Sequence, residues 1–200
     1  MSAPWQPLLD WWFGPGETAA EVAATQQTLW FGKQDNQDAY AREHFGGLVR
    51  QALAGELDTW ADTAEGWLAL ILLLDQLPRM IHRDSPWAYA GDAHAQQLVA
   101  RGLAAGWEQA LAPLEQTFVY LVLEHAENLD SQHLAVELFT DLYEQAGEED
   151  QAVFANSLDY ARKHQIVIAR FGRFPHRNQA LGRNSTAEEV SFLLEPGSRF

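Results

Sequence analysis

Apolar positions recur along this chain with the period of a helix, not that of a strand. Between Asp35 and Leu53, the residues Tyr40, Phe45, Leu48, Val49, Ala52 and Leu53 share one helical face, and Gly46-Gly47 is the weak point within it. Asp62-Thr-Ala-Glu65 is a capping signature. It opens the very apolar run from Gly66 to Leu74, in a helix expected to reach about Arg83. Pro78 interrupts that helix. It has no N–H to offer the Leu74 carbonyl, so a kink is expected there. Further helices are expected over 92–106, over 113–128 with Pro113 at the first position, over 130–147 and over 148–172. Ser185 and Thr186, followed by Glu188 and Glu189, cap a last one. A short first helix, Trp5 to Phe13, stops at Gly14-Pro15-Gly16. Thr18-Ala-Ala-Glu21 reads as another capping box, but the pattern from there to Lys33 leaves helix and loop both open.

Strand signals are scarce: there is no Asn-Gly or Asp-Gly turn and no sustained alternation. The connections are short, which favours antiparallel neighbours. The expected fold is all-α, one domain over residues 1–200. It is an irregular array of antiparallel helical hairpins (about 35–83, 92–128 and 130–172) with a C-terminal turn and helix over 173–195. The tetratricopeptide consensus repeat is absent. A compact orthogonal bundle is the alternative.

Composition narrows the function classes. There is no cysteine, which excludes disulfides, thiolate catalysis and thiolate zinc sites. The net charge of −15 argues against general nucleic-acid binding and against docking on anionic membranes. The N-terminus lacks a basic segment and a cleavage site, and the longest apolar run is about half of a bilayer span, so a cytoplasmic protein is expected. The charge is not uniform. Residues 162–183 hold six basic side chains and no acid, a local +6, whereas the remaining 7 bases and 28 acids give −21. Five of the six are arginines, the side chain best suited to planar contacts with carboxylate or phosphate. They either pair with acids on neighbouring helices or line an anion pocket; one short basic stretch is too little for nucleic acid.

Three strings carry candidate chemistry. In Arg170-Phe-Gly-Arg-Phe-Pro-His-Arg-Asn178, Gly172 ends a helix and Pro175 prevents its continuation, so a rigid turn should project Arg173, His176, Arg177 and Asn178. Asp75, Gln76 and Arg79 follow the apolar run beside the expected kink, with Asp75 and Arg79 at the favourable i, i+4 spacing for pairing. His125 and Glu127 sit where an apolar helix meets a turn, and His125 has the residue type for acid/base work near neutral pH. Each string also has a structural reading, as a buried ion pair or a hydrogen-bonded helix end. Histidine spacing gives no metal site, and no phosphate loop, dinucleotide fingerprint or nucleophile elbow occurs, so no cofactor is expected.

Leu74-Asp-Gln-Leu-Pro-Arg79, Tyr120-Leu-Val-Leu-Glu-His-Ala-Glu127 and the 170–178 string with Leu181-Gly-Arg183 and Ser185-Thr-Ala-Glu-Glu189 together resemble the bacterial domain of unknown function 924. Trp30-Phe31 and Asp58-Thr-Trp60 also resemble its pattern, and the resemblance covers about residues 8–195. It implies a fold similar to tetratricopeptide-repeat proteins, a right-handed helical superhelix, and no established activity. The motif residues it implies are Asp75, Gln76, Arg79, His125, Glu127, Gln132, Arg173, His176, Arg177, Asn178 and Arg183. The chain departs from the family pattern at Leu77 (usually Phe), Met80 (usually Asn), Glu124 (usually apolar) and Ala126 (usually Ser).

Three functions follow from these residues. The first is a binding module in which Asp75, Gln76, Arg79, Gln132, Arg173, Arg177, Asn178 and Arg183 hold a small anion or an acidic peptide end. The second is an enzyme in which His125 or His176 acts as acid/base, oriented by Glu127 or Asp75, on a phosphorylated or carboxylated small molecule. In the third, the motifs only lock the C-terminal turn onto the helix pairs.

Overall fold

A computed structural model describes residues 2–198. The described residues form helices and turns, with no strand among them. The α-helices are α1 (Gln6–Phe13), α2 (Ala19–Phe31), α3 (Asp35–Leu53), α4 (Ala64–Ile71), α5 (Leu77–Ile81), α6 (Asp92–Ala105), α7 (Pro113–Glu124), α8 (Leu129–Gln145), α9 (Gln151–Phe171) and α10 (Ala187–Phe192). The segment left open by the sequence pattern, up to Lys33, is α2. The Thr18 hydroxyl accepts from the Glu21 N–H at its start. Gly46-Gly47 does not break α3, because the buried Gly46 lies within a face packed on the core.

α3 packs on α5, and further along the chain neighbours in sequence pack against each other: α6 on α7, α7 on α8, and α8 on α9 across a short turn. α4 touches both α6 and α7, and α2 reaches back to α9. α7 ends sooner than its apolar run promised, at Glu124. α8 begins one residue before the expected 130, capped by Asn128, whose side chain accepts from the Ser131 N–H at 2.9 Å.

The central element is the apolar run. Every residue from Trp67 to Leu74 is fully buried. Aromatic rings seal the N-terminal side, where Trp12, Phe13 and Trp30 surround the Phe118 ring at 5.0–5.4 Å. The Trp30 indole donates to the Trp12 carbonyl at 2.8 Å, so its polar edge is satisfied in the core.

The helix is interrupted ahead of Pro78. Between α4 and α5 the helix widens into a π-turn, Leu72–Gln76, in which the Leu77 N–H bonds the Leu72 carbonyl. The extra residue carries Asp75 and Gln76 inward, where they are 1% and 6% exposed. Gly91, just before α6, sits against the Leu74 carbonyl that Pro78 cannot satisfy. A β-carbon there would lie 2.2 Å from that oxygen. The glycine thereby lets the start of α6 approach the π-turn and sets Asp92 opposite Arg79.

Candidate functional site

Asp75 is the hub. Its carboxylate accepts from His125 Nδ1 at 2.9 Å to both oxygens, lies 3.1 Å from Arg79 Nη1, and accepts from the Gln76 amide. Arg79 also donates to the Asp75 carbonyl at 2.6 Å and forks onto Asp92 at 2.9 and 3.0 Å. Arg177, from the short 3₁₀ turn Pro175–Arg177, donates to the His125 carbonyl at 3.0 Å and reaches Asp92 at 3.5 Å. Its guanidinium lies 4.4 Å from the centre of the Phe174 ring and 4.9 Å from that of Tyr89. Four separate parts of the chain thus converge: the π-turn with α5, the start of α6, the end of α7 and the 3₁₀ turn.

The charge states follow from this packing. Burial pushes the Asp75 carboxyl up, but Arg79, His125 and Arg177 outweigh it and hold it well below the usual carboxylate range. An ionised Asp75 only accepts, so His125 Nδ1 carries the proton. Burial lowers the His125 pKa, and Arg79 and Arg177 add to that against the pull of Asp75. The imidazole is therefore neutral and its Nε2 has a free lone pair. No described residue bonds that Nε2, and the His125 side chain is 16% exposed. Arg177 is the under-served member. It is 5% exposed, its Nε has no acceptor among the described residues, and burial followed by repulsion from Arg79 lowers it to about 10.

The other motif residues gather in a second, adjoining cluster. Glu127 accepts from the Phe174 N–H at 2.8 Å and from both Arg183 Nη atoms at 2.6 and 2.9 Å. Arg183 also donates to Asn178 Oδ1 and to the Phe174 carbonyl. Glu189 takes a two-point contact from Arg173, together with the Asn178 amide and the Thr186 N–H. Arg170 pairs with Glu188. The local excess of positive charge is thus largely met by acids from the end of α7 and from α10. Gln132 is fully buried in α8, and its amide donates to the carbonyls of Leu123, Glu124 and Ala126 at the end of α7. His176 is partly exposed beside Phe174, with ring centres 5.7 Å apart.

Asp92, Tyr89 and the buried pair of Glu124 with His164 Nδ1 at 2.9 Å were not among the expected site residues. The His164 ring lies 6.3 Å from that of His125. Only Asp92, as the first residue of a helix, had a recognisable local role. Two surface hollows are lined by Gly147, Glu148 and Glu149, and by residues 61–64 with Gly106, Trp107 and Ala110. Neither touches the Asp75 cluster. Among the described residues no group of three or more His, Asp or Glu is placed to hold a metal ion, and no helix is long and apolar enough to cross a membrane.

These charge states fix the acid response. Burial lowers His176 to about 3, lowers His125 as well, and together with Arg42 lowers His82. Unfolded, all three take a proton near pH 6.5, before the folded protein does, so their contribution is complete above that pH and is lost as pH falls. Stability should therefore decline between pH 7 and 5, before any ordinary carboxylate titrates, with a slope of up to three protons. Urea midpoints measured across that range check this; a flat profile down to pH 5 would contradict it.

The family model described as bacterial protein of unknown function (DUF924) matches residues 8–197. The solved structure of a protein of unknown function from Agrobacterium tumefaciens is similar at 34% identity and a TM-score of 0.74, over 88% of this chain and 99% of that one. None of the curated proteins compared matches the chain. With nearly its whole length matched, and the Asp75, His125 and Arg177 strings all inside the match, this chain belongs to the DUF924 family of bacterial proteins of unknown function.

Proposed function

We propose that this chain is a binding protein for a small anion, or for the carboxylate end of an acidic peptide, at the face shared by Arg79, His125 and Arg177. One observation carries the reading: Arg177 is buried and its charge is incompletely paired. A guanidinium without enough acceptors is costly in a protein interior and invites an anion. Arg173, Asn178, Arg183 and Gln132 are occupied by internal partners. We read them, with Glu127, as a clasp that fixes the 3₁₀ turn and so aims Arg177. The test is a thermal-shift series with acetate, phosphate and short acidic peptides at matched ionic strength. Wild type should gain about 2.7 kcal/mol at a ligand concentration one hundred times Kd, and Arg177→Ala should lose that increment. Equal increments in both proteins would exclude the site.

A second reading is favoured by the contact of His125 with Asp75. A histidine held at Nδ1 by an ionised carboxylate offers Nε2 as a general base, with Asp75 rather than Glu127 as its orienting partner. Turnover of phosphorylated or carboxylated esters that vanishes in His125→Ala would support it. Equal turnover in that variant would exclude it.

A further inference from the structure

We propose that Gln132 is the positioning residue of His125. From α8 it holds the last turn of α7 in place and so keeps the imidazole on Asp75. This rests on the reading above that puts His125 in the site, and it names the group that sets that side chain's place.

α7 ends without a glycine. α6 and α9 stop at Gly106 and Gly172, whose left-handed φ of 71° and 68° turns the chain while their own N–H groups bond back into the last turn. At the end of α7, His125 keeps a helical φ and ψ of −78° and −11°, and the helix end is closed by side chains from elsewhere. The Gln132 amide donates to the Glu124 carbonyl at 2.6 Å and to the Ala126 carbonyl at 2.8 Å. The Leu123 carbonyl, 3.3 Å from the same nitrogen, also accepts from the Ala126 N–H. The His125 carbonyl, between these in sequence, accepts from Arg177 at 3.0 Å. The turn that carries the imidazole is thus mounted from two sides, by α8 and by the 3₁₀ turn.

The amide is needed for its donors. Three carbonyls surround one end of it, and carbonyls only accept, so that end is the nitrogen. The other end, Oε1, has no donor among the described residues, although the side chain is fully buried. A buried acceptor left unpaired costs free energy, and methionine would fill similar space without that cost. The N–H groups offset it by fixing the turn. What they fix matters at His125, because Nδ1 meets both Asp75 oxygens at 2.9 Å and Asp75 belongs to a separate element, the π-turn. A displacement of about 1 Å at the end of α7 is enough to spoil such a contact.

The experiment follows the His125 ring signals by NMR in ¹⁵N-histidine-labelled full-length protein. Gln132→Met keeps the bulk and removes both donors, and it should shift and broaden the His125 Nδ1–H signal. Phe154→Leu, at a buried position near the start of α9, controls for lost stability alone and should leave that signal in place. Gln132→Asn keeps an amide with a shorter reach. It should give a smaller shift in the same direction, and it decides the matter if the methionine variant does not fold. An unchanged His125 signal in either folded variant overturns the proposal, as does an equal shift in Phe154→Leu. The outcome is independent of ligand: if wild type neither gains stability from acetate or phosphate nor turns over esters, the binding and catalytic readings fall, and the NMR comparison still decides the role of Gln132.

Discussion

Replacing Asp75 with alanine is expected to cost about 3–5 kcal/mol of folding stability, the cost of removing one partner from a buried ionic group. The loss is large because three neighbours depend on this carboxylate. Arg79 keeps Asp92 but loses its inner partner; His125 Nδ1 loses its acceptor; the Gln76 amide is left facing them in the core. Water cannot repair this, because Asp75 and Gln76 are 1% and 6% exposed. For a chain of this length the melting temperature should drop by roughly 6–20 °C. Asp75→Asn keeps the shape and removes the charge, so comparing the two variants by chemical denaturation separates packing from electrostatics. A loss under about 1 kcal/mol for the alanine variant would mean that the cluster is not an energetic hub. The same replacement should change the His125 nitrogen signals even where the protein stays folded, since its acceptor is gone.

Gly91→Ala is expected to be among the most damaging single-methyl additions in the molecule, with Gly66→Ala and Gly102→Ala, at about 1–3 kcal/mol or more. The new β-carbon would meet the Leu74 carbonyl oxygen at 2.2 Å, its carbon at 2.8 Å and its α-carbon at 2.9 Å. Those are backbone atoms within a π-turn whose neighbours are fully buried, so no side chain can swing aside. Gly91 has a negative φ of −91°, so the cost is purely one of space. Gly147→Ala, with nothing within 4 Å of the added carbon, is the matched control and should cost little. Because α6 begins at Asp92, displacing Gly91 should also pull Asp92 off Arg79. The variant should therefore lose anion-dependent stabilisation along with thermal stability. Equal melting temperatures for the two variants would refute the close approach.

Much of this architecture was legible before any coordinates. The 3.6-residue period, the caps at Thr18 and Thr186, and the helix ends at Gly106 and Gly172 are local signals, and helices are local structures; at the apolar run the cap is Thr63, one residue after the Asp62 that opens the signature. Pro78 announced an unsatisfied carbonyl at Leu74. It did not announce a π-turn or a glycine placed against that carbonyl, because the partner lies in a different segment. The pairing of Asp75 with Arg79 was readable from i, i+4 spacing. That of Asp75 with His125 was not, because it joins residues on different helices.

The basic stretch shows the same division most plainly. Its charge could be counted from the sequence, but counting could not distinguish arginines that serve a ligand from arginines that serve a neighbour. Packing shows which of them have internal partners. Glu127 and Glu189 meet Arg183 and Arg173 across the C-terminal turn, whereas Arg177 lies between two rings with donors to spare. The sequence by itself determined the helical class, the helix ends and the residue types of the site, because hydrogen bonds and hydrophobic period act between near neighbours. Only the tertiary structure determined which charges cancel, which histidine is neutral and which guanidinium is left short. Desolvation and Coulomb energy depend on distances between segments that no local pattern encodes.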